Sequence, residues 1–87
     1  VSPESIAYAK NHNIISYLTG DANAAHAVFE FIEDFRVIVE LACGASMSVA
    51  YDEPEIIRPY HHIVVVACGG SGVNLPLLLQ YKQIFNL

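Results

Sequence analysis

Apolar positions follow two rhythms along this chain: one repeats every three or four residues, the other runs in short unbroken blocks. The first rhythm predicts helices. Ser2-Pro3-Glu4 opens one, because Ser2 can cap, Pro3 suits the first helical position and Glu4 favours the positive end of the helix dipole. It fades near Asn11-His12-Asn13. Thr19-Gly20-Asp21 reads as a turn, with Asp21 as N-cap of a helix over residues 22–33 whose Ala24, Val28, Phe31 and Ile32 share a face. A third helix follows Glu40. Its Gly44, Ala45, Ser46, Ser48 and Ala50 have little bulk, so it is expected to pack closely against a neighbour. Residues 52–59 form a polar loop, and a fourth helix covers residues 75–85, with Pro76 in its first turn.

The unbroken blocks predict strands. Residues 14–18 and Val37-Ile38-Val39 are short ones. Residues 63–67 are aliphatic without alternation, which fits a strand buried on both faces, as in a parallel sheet covered by helices. The order helix–strand–helix–strand–helix–strand–helix predicts an α/β fold of alternating helices and mainly parallel strands. No linker, repeat or low-complexity stretch divides the chain, so residues 1–87 are expected to form a single partial domain.

Composition narrows the function classes. A chain of 87 residues buries little more than about 60% of its unfolded surface. An apolar content of 54% is high for that size, which points to surfaces meant to be covered. The start at Val1 rather than Met suggests a processed or partial sequence. The net charge is −5, and Lys10, Arg36, Arg58 and Lys82 are scattered, so neither a nucleic-acid site nor a polybasic membrane site is expected. No apolar run reaches the roughly 20 residues that span a bilayer, and no leader pattern opens the chain. Two cysteines, Cys43 and Cys68, make no disulfide framework, so a reducing, cytoplasmic setting is the default.

Chemistry concentrates at the end of the third block, where Cys68-Gly69-Gly70-Ser71-Gly72 follows the aliphatic run. Open α/β sheets place ligands at such strand ends. A Walker A loop requires a lysine that is absent here, and a Rossmann fingerprint requires a third glycine where Leu75 stands. Two readings remain: amides in front of a helix that meet a ligand, or a tight turn. His61 and His62 point to opposite faces of a strand and cannot easily share an ion, and no CxxC pattern accompanies the cysteines, so no metal site is expected. Ser46 and Ser48 lie outside any Gly-x-Ser-x-Gly elbow. Glu40 follows a strand directly and is expected at the same edge as Cys68, either in a functional role or as the cap of the helix that follows.

Two motifs, Val39-Glu40-Leu41-Ala42-Cys43-Gly44-Ala45 and Val66-Ala67-Cys68-Gly69-Gly70-Ser71, together resemble the C-terminal part of L-serine/L-threonine dehydratases, pyridoxal-phosphate enzymes of fold type II. The helix that begins at Asp21 and ends in Phe-Ile-Glu-Asp-Phe-Arg is similar to the segment those enzymes carry before their first motif. The resemblance covers nearly the whole chain. It implies a large cofactor-binding domain of which this chain is the C-terminal segment. Cys68 is then the residue facing the pyridine nitrogen, Gly69 and Gly70 let the backbone pass close to the ring, and Glu40 belongs to the same cofactor-binding set. A thiol is a weak donor without compensating charge, which makes the ring a milder electron sink and suits β-elimination. The implied products are pyruvate, or 2-oxobutyrate from threonine, plus ammonia.

The chain departs from the family in three ways. Leu41 stands where the family usually has proline, and residues 52–59 form a shorter, more acidic connection. The family's cofactor-bearing lysine and phosphate-binding loop have no counterpart, since Lys10 and Lys82 lie in no matching context. No catalytic residue is therefore assigned, and the chain alone is expected to be inactive. Its partners are then the missing N-terminal part or a complementing chain, together with a small amino-acid substrate, and a homo-oligomer is allowed. Two other readings stay open: a truncated, non-catalytic α/β interaction module, and a small domain that binds an anion on the Gly69 to Gly72 loop.

Overall fold

The computed structural model describes residues 2–70 and 72–87; Val1, and Ser71 in the middle of the glycine loop, lie outside the described residues. Four helices are present: α1 (Pro3–Asn11), α2 (Asp21–Phe35), α3 (Leu41–Asp52) and α4 (Leu75–Ile84). Their ends follow from local chemistry. The Ser2 hydroxyl accepts the Ser5 amide at 3.1 Å, and Asn74 Oδ1 accepts the Leu77 amide at 3.0 Å. Gly20, not Asp21, occupies the N-cap of α2, and Asp21 supplies the acidic first turn. Arg36 and Glu53 close α2 and α3 in left-handed conformations, with φ of 58° and 48°.

The α/β expectation is overturned: among the described residues the fold is all helical, with no strand. The three apolar blocks carry β-branched residues that favour extended backbone, but a strand also requires a neighbour to share a hydrogen-bond ladder. No such ladder links them. The backbone hydrogen bonds outside the helices are turns and caps, such as Ile14 to His12 and Ile57 to Pro54. Nor are residues 63–67 buried on both faces. Val65 packs against the core, while Val64 is 91% and Val66 72% exposed. The second and third blocks are each held by one side chain reaching inward, Val39 and Val65, while residues 14–18 are exposed throughout.

The core lies between α2 and α3. Ala24, Ala25, Ala27 and Val28 of α2 face Cys43, Gly44, Met47 and Ser48 of α3, and all are buried. The small residues let the backbones touch. A Cβ on Gly44 would overlap the Ala24 carbonyl oxygen and lie 2.7 Å from Val28 Cγ2. The close packing expected of the small-residue helix is thus realised, with Gly44 at its centre. Ser48 Oγ lies 2.8 Å from the Ala45 carbonyl and 3.0 Å from Thr19 Oγ1, so its buried hydroxyl is satisfied. Val39 and Leu78 complete the cluster and bring the segment before α3 and helix α4 onto the pair. No residue of α1 is buried. The radius of gyration, 14.4 Å, exceeds the about 12 Å expected of a compact chain this long.

Candidate functional site

The two motifs meet at the N-terminal end of α3. Glu40 occupies the N-cap position, but its side chain makes no cap hydrogen bond. Its Oε1 instead accepts the amides of Gly70 and Gly72, both at 3.1 Å. These two bonds hold the Glu40 carboxyl below its ordinary pKa, because they favour the charged form. One helical turn further on, the Cys43 thiol donates to the Cys68 carbonyl oxygen. The first turn of α3 therefore grips the glycine loop through a carboxylate and through a sulfur.

The loop needs its glycines. Gly69 and Gly70 have φ of 90° and 133°, a region that side chains rarely tolerate. A Cβ on Gly69 would come within 3.0 Å of Glu40 Oε1, and one on Gly70 within 3.0 Å of the Ile38 carbonyl. Cys68 sits immediately before this turn and is exposed. The neighbouring Cys43 thiol, chiefly, then partial desolvation and last Glu40 push the Cys68 pKa up, so the thiol stays neutral at physiological pH.

Glu40, Ala42, Cys43, Ser46, Val66, Cys68 and Gly69 line a hollow of about 210 Å³. A larger groove, about 440 Å³, lies elsewhere, between Phe31, Phe35, Met47, Ile63 and Val65. Its polar groups are committed to each other: Tyr51 donates to Asp34 Oδ2 at 2.7 Å. The smaller hollow is the candidate site because it joins an exposed thiol, bare backbone and a charged carboxylate.

The structure brings all four sequence-derived site residues, Glu40, Cys68, Gly69 and Gly70, to one place. It also adds Cys43, which stands in the first motif without an expected role, and makes Gly72 a partner of Glu40. Cys43 was legible in principle, since it lies three residues after Glu40 and so on the same side of the helix. His61 and His62 are exposed and join no cluster, and among the described residues no group of His, Cys, Asp or Glu could hold a metal ion. None of the described helices is long and apolar enough to cross a membrane.

No family model matches the chain. Individual proteins do. Bovine L-serine dehydratase/L-threonine deaminase is 30% identical over 91 residues, covering 95% of this chain and 28% of that protein. L-serine dehydratase of Dictyostelium discoideum is 32% identical over 86 residues, covering 95% of this chain and 25% of its own length. A protein of Saccharomyces cerevisiae described as a putative truncated L-serine dehydratase, SDL1, is 28% identical over 80 residues, covering 83% of this chain and 38% of its length. The chain spans little more than a quarter of the bovine protein. The resemblance carried by the two motifs is borne out, and the chain is a sequence relative of the serine dehydratase family, matching one segment of its members.

Proposed function

We propose that the chain is the C-terminal part of a pyridoxal-phosphate-dependent L-serine/L-threonine dehydratase and forms the side of the pocket that faces the cofactor's ring nitrogen. The observation that carries this reading is the neutral, exposed Cys68 thiol beside a glycine turn clamped by Glu40. The residues present fit a ring edge. Cys68 offers a weak donor without charge, and Gly69 and Gly70 leave no side chain in the way. They do not fit the phosphate, since no basic residue lines the hollow and Glu40 opposes an anion. The phosphate and the covalent anchor then belong to residues outside this chain.

Pyridoxal phosphate, when bound, supplies the electron sink that lets an α-proton and a β-hydroxyl leave an amino acid. This chain's share is positional: Glu40 holds the loop, the loop holds Cys68, and Cys68 meets the ring nitrogen. The products of the complete enzyme are pyruvate or 2-oxobutyrate plus ammonia, formed in a reducing cytoplasm. The partner is the remainder of the enzyme, joined to this segment or complementing it.

Grafting tests the reading. The 87-residue chain replaces the matching segment of the bovine relative, and pyruvate formation from L-serine is followed. Turnover in the chimera, reduced by Cys68→Ala, is the expected result. A folded chimera with only background pyruvate would overturn it, as would pyruvate formation by the isolated chain with added cofactor.

A truncated, non-catalytic interaction module remains the second reading, favoured by the similarity to the truncated yeast protein and by exposed apolar side chains such as Leu18 and Val64. The anion-binding reading loses support, because the Gly70 and Gly72 amides already donate to a carboxylate.

A further inference from the structure

Cys43 and Cys68 lie 25 positions apart in the chain, yet they share one hollow and one hydrogen bond, from the Cys43 thiol to the Cys68 carbonyl oxygen. The Cys43 sulfur is held at the carbonyl of Cys68 itself, and the two thiols lie close enough to act on one another. Both cysteines are free, and their exposure is divided. Cys43 is only 6% exposed, while Cys68 faces solvent. Such a division suits a pair in which one thiol meets a reagent and the other resolves the product.

We infer that Cys43 and Cys68 are a redox-active dithiol, closed to an intramolecular disulfide by small-molecule disulfides such as oxidised glutathione. In the first step Cys68, as thiolate, attacks one sulfur of glutathione disulfide. A Cys68–glutathione bond forms, the glutathione S–S bond breaks, and one glutathione thiolate leaves. In the second step the Cys43 thiol gives its proton to water and attacks the Cys68 sulfur. The protein disulfide forms and the second glutathione thiolate leaves. Two protein thiols are oxidised and one small disulfide is reduced to two thiols. The Cys68 sulfur is then tied to α3 and no longer open to the hollow. The groups facing Cys68 are Cys43 and Glu40, and both oppose its ionisation, so closure is slow at neutral pH and quickens as pH rises. The inference stands whether or not the dehydratase reading holds, because it uses only the two sulfurs.

The test treats the folded chain with oxidised glutathione at mildly alkaline pH and follows intact mass. Wild type is expected to lose two hydrogens and to show a glutathione adduct only in passing, at a closing rate independent of protein concentration. Cys43→Ala, or Cys43→Ser if the alanine variant does not fold, is expected to stop at a stable adduct on Cys68. A stable adduct in wild type, disulfide-linked dimers, or two thiols still free after prolonged exposure would each overturn the inference. The wild-type result alone decides it if neither variant folds.

Discussion

Glu40 Oε1 accepts the Gly70 amide at 3.1 Å, so a residue at the start of α3 fixes a turn 30 positions further along the chain. The second bond, to Gly72, makes the carboxylate a two-point clamp. Because the folded-state pKa is depressed, the clamp's contribution is fully present above the ordinary value of 4.5 and is lost as pH falls below it through the folded value. Glu40→Gln keeps an acceptor without the charge. Amide hydrogen exchange at Gly70 and Gly72 is expected to be faster in Glu40→Gln than in wild type, and faster again in Glu40→Ala. Thermal unfolding followed against pH should fall more steeply below 4.5 in wild type than in the glutamine variant. Equal slopes would remove the clamp from the account.

Gly70→Ala addresses the same turn from the other side. With φ of 133°, and with an added Cβ 3.0 Å from the Ile38 carbonyl, the substitution should cost about 1–3 kcal/mol. Denaturant unfolding measures it. Solvent access to Cys68, read by thiol alkylation, should change with it, because the turn that presents the sulfur is altered.

Gly44→Ala should be among the more damaging single-methyl additions in the chain. The methyl enters the Ala24 carbonyl and Val28, where backbone, not a flexible side chain, must give way. Overpacking of this kind costs about 1–3 kcal/mol, and Ser46→Ala on the exposed side of the same helix should stay within about 0.5 kcal/mol. Similar midpoints for the two variants would refute the close crossing.

Tyr51 provides a spectroscopic marker for the α2–α3 pair. Partial burial, first, and then the hydrogen bond to Asp34 push its pKa up to about 12. Since the folded value is raised, the stabilisation is complete below the ordinary 10.0 and disappears as pH climbs through about 12. In an ultraviolet titration one of the five tyrosines should ionise late. Tyr51→Phe removes that step, and Asp34→Asn brings it back toward the others.

Much of the helical layout was legible in the residues, because caps and spacing are local. Ser2 caps as its chemistry suggests, the cap expected of Asp21 falls one residue earlier at Gly20, and the small side chains of α3 foretold a close neighbour, found at Ala24. The lack of strands among the described residues was not legible, because residues such as Val64 and Val66 carry a preference for extended backbone but no information about a pairing partner. Glu40 was half legible. Its position before a helix suggested a cap, while the stronger attraction proved to be two glycine amides distant in sequence. The two motifs do meet, as their expected placement at one edge suggested, although among the described residues no sheet edge brings them together.

The two grips on the glycine loop have a mechanical consequence. A single hydrogen bond would fix a point and leave the loop free to swing about it. Cys43 holds the carbonyl of residue 68, and Glu40, one helical turn away, holds the amides of residues 70 and 72. Two anchors on one rigid helix fix a bearing as well as a location. The aim of the Cys68 side chain is therefore inherited from the axis of α3, and through the Gly44 contact from α2 beneath it.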